Sequence, residues 1–302
     1  MQKPKIIVHF SQIDTFCLTI KMLFGIIILI LLSEVIMDTF NPFLAANLRL
    51  TEAGYTRVGS FWSHLATYFP YYRIYCVTEG RARMFLPDRT LELLPGRLYF
   101  IPAFSIMGAE CEDFMVHHWL HFHLDVTASS YLSVYKPRTF VEQQPGDEEI
   151  FCRVRENFEA SAQGTNLSNV LAYTSLTKYL FSRFLPNGEL SADTARFVPV
   201  LQYIDQHLNT NISNAELSDI LCLNETYFSN IFARQFGISP KQYILQKRIG
   251  AAAAMLLETD KTVKEVAFSF GYENEMYFYR IFRKITGTTP EKYRHSLRNN
   301  NP

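Results

Sequence analysis

The chain has 302 residues, enough for two domains with separate cores. Lys plus Arg and Asp plus Glu each number 29, so the whole-chain charge says nothing about a nucleic-acid partner. The five cysteines, Cys17, Cys76, Cys111, Cys152 and Cys222, are odd in number and form no C-x-x-C pair, which argues against a zinc ribbon or a disulfide framework and fits a reducing cytoplasm.

The first 36 residues form a hydrophobic leader. Its unbroken apolar run, Met22 to Leu32, spans eleven residues, short of the roughly 18 to 20 that a membrane-spanning helix needs. Extending it back to Phe16 reaches membrane length but puts Lys21 inside the span. No small-residue cleavage site follows Leu32, as a signal peptide would require. Three readings stand: an inner-membrane anchor through residues 16–36, a packed helix, or, the preferred one, a natural start at Met37 with a cytoplasmic protein following.

From about Arg57 to Asp125 the pattern becomes strand-like. Tyr72 to Val77 ends at Glu79-Gly80, Arg81 to Leu86 at Pro87-Asp88, Thr90 to Leu94 at Pro95-Gly96, and Leu98 to Ile101 at Pro102. Short aromatic and β-branched runs at this spacing predict a β-sandwich or small barrel. The order of its turns resembles a cupin-type sensor domain. A barrel mouth can hold a small molecule, and Trp62, Arg73, Arg81 and Arg83 are its candidate effector residues, suited to a sugar or an acid. His121 and His123 share a strand face at ligand-like spacing, yet HHWLHFH also reads as an ordinary packed strand and Met107 stands where a later histidine ligand belongs. No metal and no cofactor are assigned, and Cys76 and Cys222 are expected in cores.

Residues 147–185 return to helical periodicity as an αα-hairpin. One stripe is Ile150, Phe151, Val154 and Phe158; the other is Leu167, Val170, Leu171, Tyr173, Leu176 and Leu180, with Asn166 as a cap. The hairpin either dimerises the protein or covers the barrel. Pro186-Asn187-Gly188 through Thr194 is breaker-rich and polar, a linker.

The last third of the chain repeats itself. Tyr227, Phe228, Ile231, Phe232, Arg234, Gly237, Pro240 and Tyr243 recur, each 50 residues on, as Tyr277, Phe278, Ile281, Phe282, Lys284, Gly287, Pro290 and Tyr293. The apolar members predict one helix face, closed by Gly. Before each copy, Ser213 with Glu216 and Thr262 with Glu265 predict capping boxes on a shorter helix. Asn224 and Asn274 are the expected caps of the longer ones. Short helix, turn, second helix, twice over, is a tandem helix-turn-helix. Pro240 to about Glu258, with its alanine run 251–254, is the expected connecting rod. From Arg196 onward thirteen basic side chains face ten acidic ones, a modest surplus of the sign DNA would require.

The segment from Ile212 to Arg294 resembles the AraC/XylS family of bacterial transcription regulators, on ISNAELSDILCLNETYFSNIFARQFGISPKQYILQKR and VKEVAFSFGYENEMYFYRIFRKITGTTPEKYR. The resemblance implies double-stranded DNA and RNA polymerase as partners, a small-molecule effector in the N-terminal barrel, and a homodimer through the hairpin. It also implies base reading by Thr226, Ser229 and Asn230 in the first copy and by Glu275, Met276, Tyr279 and Arg280 in the second. These lie opposite the apolar face, where side chains near a helix N-terminus reach base edges in the major groove. Lys241, Lys247, Arg248, Arg283, Lys284, Lys292 and Arg294 are candidates for phosphate contacts.

The expected architecture is α+β in two domains: a cupin-like sandwich or barrel with a helical hairpin, then an all-α tandem helix-turn-helix. The expected bounds are 1–36 leader, 37–140 sensor, 141–186 hairpin, 187–195 linker and 196–298 DNA-binding domain. No catalytic residues are assigned, since no triad or phosphate-binding Gly loop is evident. Two alternatives remain, a membrane-tethered regulator and a metal-binding cupin enzyme fused to a DNA module.

Overall fold

A computed structural model describes residues 47–64, 69–124, 126–164, 166–186 and 192–299. The leader, the Met37 start and most of the linker lie outside these residues. No helix among the described residues is long and apolar enough to cross a membrane.

Strand breaks follow turn chemistry. Gly80, at the end of β2 (Tyr72–Gly80), has φ +69°, and a Cβ there would sit 2.1 Å from the Phe114 carbonyl oxygen, so only glycine fits. The strands β1 (Leu48–Val58), β7 (Met115–Leu124), β2, β5 (Arg97–Ile101) and β8 (Phe140–Glu142) lie side by side in that order, all antiparallel. Facing them is a smaller sheet of β4 (Thr90–Leu93), β3 (Ala82–Phe85) and β6 (Gly108–Glu110). Between the sheets Tyr75, Val77, Met84, Leu93, Ile101 and Met115 form a buried core. β1 starts well before the expected Arg57. Its register with β7 shifts between Leu50 and Glu52, a bulge that breaks the alternation of inward and outward residues.

The opposite face of the large sheet is also apolar, and α2 (Asp147–Ala162) and α3 (Leu167–Ser182) cover it. Phe100 meets Phe181 at 5.4 Å and Phe184 at 5.7 Å between ring centroids, and Phe122 meets Phe181 at 5.6 Å. Asn166 caps α3 by accepting from the Ser168 amide. The second expected stripe is only half used: Leu180 is buried, whereas Leu167 and Leu171 are 69% and 58% exposed. One helix has no counterpart among the expected elements. α1 (Val126–Tyr135) follows β7 and packs on α5 (Val198–Gln206), and its Val134 joins the core of the C-terminal helices.

That helical part holds the short α4 (Ala192–Ala195), then α5 to α11: α6 (Asn214–Ile220), α7 (Glu225–Phe236), α8 (Pro240–Glu258), α9 (Val263–Ser269), α10 (Glu275–Thr286) and α11 (Pro290–Asn299). Phe197, Leu201, Leu217, Phe228, Phe232, Ala252, Leu256, Val266, Phe278 and Phe282 are buried in one continuous core. The architecture is thus the expected two-domain α+β one. Cys76 is a core residue, but Cys222 is not: it is exposed in the turn before α7, with φ +52°.

Candidate nucleic-acid interface

Each repeat is built the same way from its caps outward. Ser213 and Thr262 accept from the amides of Glu216 and Glu265, whose carboxylates in turn accept from the cap residues' own amides. Those amides hold both carboxyls below the usual carboxylate range. Asn224 and Asn274 start α7 and α10 by accepting from the Tyr227 and Tyr277 amides. Gly237 and Gly287 end them at φ +76° and +79°. Phe228 and Phe232, and Phe278 and Phe282, anchor the inner faces.

With the inner faces fixed, Thr226 and Asn230 on α7 are exposed, as are Met276 and Arg280 on α10, Met276 to 75%. Three of the expected base readers are placed differently. Ser229 is half-buried and accepts from Asn214 Nδ2 at 3.2 Å, which braces α6 against α7. Tyr279 is partly buried against the helical core, and Glu275 is half-buried in the first turn of α10. Two residues expected on the apolar face lie outside it: Tyr227 is 52% and Tyr277 44% exposed. The Arg280 guanidinium lies over the Tyr277 ring, 5.2 Å from its centroid.

The phosphate candidates divide by burial. Lys241, Arg283, Lys284 and Lys292 are exposed. Lys247, expected at a phosphate, is instead turned inward: its Nζ is 3.2 Å from Asp205 Oδ1 and 3.3 Å from Ser129 Oγ. Arg248 donates to the Thr210 carbonyl at 2.6 Å, and Arg294 donates to the Leu256 carbonyl at 2.9 Å and to the Lys261 carbonyl. These three cations are committed to holding helices together, because a charge leaving water needs partners.

Of the effector candidates, Arg73 alone of the arginines points between the sheets. It is 2% exposed, with its guanidinium 4.2 Å from the Phe69 ring centroid and 4.4 Å from that of Tyr71. Trp62 is buried in the same core. Arg83 instead pairs with Glu112 at 2.6 Å and Glu110 at 3.3 Å on the small sheet, and Arg81 is exposed. The alternation of β3 turns both outward, since Ala82 and Met84 face the core. Arg73 is level with His121 across the sheet, and Tyr71 stacks on His121 at 4.6 Å. His121 Nδ1 meets Glu52 Oε2 at 2.8 Å. Three buried nitrogens here have no hydrogen-bond partner among the described residues: Arg73 Nη1, His117 Nδ1 and His121 Nε2. Burial, with the neighbouring His121, pulls His117 down to about 3; burial, with Arg73, pulls His121 down to about 4. The wall therefore offers one fixed cation, two neutral imidazoles and several aromatic faces. His121 meets Glu52 and His123 faces Glu258, and among the described residues no group of three metal-binding side chains is gathered.

Comparison with known proteins bears on the repeated helices. A helix-turn-helix domain family matches residues 217–296. The probable transcriptional regulator LumQ of Photobacterium leiognathi is 32% identical over 145 residues, 48% of this chain and 56% of that protein. The arabinose operon regulatory protein of Salmonella typhimurium is 25% identical over 185 residues, 59% of this chain and 66% of that protein. The C-terminal domain belongs to the AraC/XylS family. Among solved structures, ToxT of Vibrio cholerae, bound to a naphthalenyl butenoic acid, covers 82% of this chain and 99% of its own at 14% identity and a TM-score of 0.54, a likeness of fold. The matched segments span between half and two thirds of the two regulators.

Within this AraC-type domain the exposure of Tyr227 and Tyr277 departs from what the sequence pattern predicts. Their aromatic character places them with the core-forming members of the repeat. A signal was present, because Phe228 and Phe278, one position on, already occupy the inward direction, and neighbours on a helix diverge by about 100°.

Proposed function

We propose that this chain is a sequence-specific DNA-binding transcription regulator that responds to a small molecule held in its barrel. The observation that carries the reading is the pair of helices α7 and α10, capped alike, with Thr226 and Asn230, and Met276 and Arg280, turned to water. In this reading the two helices enter successive major grooves about 34 Å apart, joined by α8. Asn230 is matched to adenine, Arg280 to guanine, and Thr226 and Met276 to thymine methyls. Lys241, Arg283, Lys284 and Lys292 contact phosphates. Since the two helices differ in sequence, one chain reads an asymmetric site. The protein acts in the cytoplasm, with RNA polymerase and a second copy of the chain as further partners.

The effector is a small molecule with a carboxylate or comparable acceptor for Arg73 and a flat body to lie against Tyr71, Tyr75 and Trp119. Support comes from the partnerless buried nitrogens, since a guanidinium this far from water calls for an acceptor. Selection of duplexes from a random pool tests the DNA reading. Two unlike sequence blocks about one helical turn apart are expected. Enrichment of a single block, or none at physiological salt, would sink the tandem reading.

A further inference from the structure

The barrel wall and the connecting helix α8 meet along a buried polar seam. On β2, consecutive residues face opposite ways: Arg73 turns into the barrel, and Tyr72 turns toward α1. Tyr72 Oη donates to Ser129 Oγ at 3.1 Å, and the same hydroxyl oxygen accepts from Lys247 Nζ at 3.3 Å. Lys247, on α8, is paired with Asp205 on α5. One turn away on each helix, Tyr243 Oη donates to Ser133 Oγ at 3.1 Å. α1 thus belongs to the sensor by chain order and to the DNA-binding core by packing.

A second line of contact reaches the far end of α8. Tyr71 stacks on His121 and stands edge-on to His123, 6.2 Å away. His123 Nε2 is 3.8 Å from Glu258 Oε1, and Arg49 on β1 donates to that same oxygen at 2.9 Å. Glu258 is the last residue of α8. Between the two lines, Phe104 lies so close to Gly250 that a Cβ there would be 3.0 Å from its ring. The helix that joins the two reading units is therefore gripped at Lys247, Gly250 and Glu258 by the sensor. The Lys247 contact reaches Tyr72, next to Arg73, through Ser129, and the Glu258 contact involves His123, two residues beyond His121 on the same strand.

We propose that the seam transmits barrel occupancy to α8: a ligand that engages Arg73 and His121 moves β2 and β7, and Lys247 and Glu258 carry the displacement to the reading helices. The proposal rests on the effector reading given above and names its mode of regulation. Its physical basis is that a hydrogen-bonded buried pair is intolerant of small shifts. Moving Tyr72 strips Ser129 of a donor and changes what Lys247 must find inside the protein.

The test uses the full chain without ligand. Arg73→Met removes the buried charge while keeping bulk. A seam variant carries Tyr72→Phe, Asp205→Asn and Lys247→Gln together, so that neither charge is left alone. Hydrogen exchange of segment 240–258 and affinity for a pool-selected duplex are measured in the wild type, each variant and their combination. Arg73→Met is expected to change exchange in 240–258 at least threefold and to shift DNA affinity, with both effects absent in the seam background. Exchange changes confined to the barrel strands, or of equal size with and without the seam, would overturn the proposal. Should the triple variant fail to fold, Tyr72→Phe alone, which keeps the ring, takes its place in the same cycle. A thermal-shift screen of small aromatic and aliphatic carboxylates judges the effector reading separately. No shift there counts against an acidic effector, while the exchange cycle still decides transmission.

Discussion

Cys222 and Gly271 occupy equivalent turns of the two repeats. Each is preceded by a short helix, and in each the following amide, of Leu223 or Tyr272, donates back to the carbonyl of Ser218 or Ala267 at 3.0 Å. Both backbones are left-handed, φ +52° for Cys222 and +74° for Gly271. A side chain in that conformation costs roughly 1 to 2 kcal/mol, partly offset by the freedom glycine has when unfolded. Because Cys222 is exposed, Cys222→Gly removes little packing and should stabilise the chain by about 0.5 to 1 kcal/mol. A urea midpoint that stays put or falls would show that the turn holds no strain. Arg280, lying over Tyr277, is the side chain we expect to discriminate most. Arg280→Ala should weaken binding to the selected site by about 1 to 3 kcal/mol and relax choice at one base pair. Equal weakening on every single-base variant of the site, measured by competition, would instead make Arg280 a phosphate contact.

Elements were legible where their determinants are local. The capping boxes at Ser213 and Thr262, the Asn224 and Asn274 caps and the left-handed Gly237 and Gly287 all follow from side chains within four residues of the backbone they serve. What lay out of reach depends on partners far along the chain. Lys247 reads as a surface cation until Asp205, 42 positions away, is folded against it. Arg83 reads as a barrel-lining donor until Glu110 and Glu112 claim it. α1 was missed because VTASSYLSVY is rich in serine and β-branched residues and has weak helical patterning; it holds its form through contacts with α5. Strand β7 carries a further consequence. His117 and His121 are held neutral, at about 3 and about 4 against an ordinary 6.5, so the unfolded chain binds more protons between those values. Their contribution to stability is complete above about pH 6.5 and is lost as the pH falls below it. His117→Gln should flatten that decline by about 1.4 kcal/mol per pH unit, read from urea midpoints at several pH values. An unchanged slope would mean that His117 is charged in the folded protein.

For the molecule as a whole, the hairpin has two sides. Phe151, Val154, Leu180 and Phe181 are spent on the sheet, leaving Leu167 and Leu171, one turn apart on α3, in water. If a second copy covers them, Leu171→Glu should lower the mass seen in sedimentation from dimer to monomer with little change in melting temperature. A wild-type chain already monomeric at micromolar concentration would remove the hairpin from the assembly. α8 has the most to lose from any change in length. In the proposed reading its 19 residues form an axle between two helices seated on a helical object, and each inserted residue turns that axle by about 100° while lengthening it by only about 1.5 Å. One alanine added between Ala253 and Ala254 should therefore throw α10 out of phase with its groove and abolish bipartite recognition, as footprinting would show. Four added residues, just over one full revolution, should restore most of it on a duplex with a slightly wider spacer.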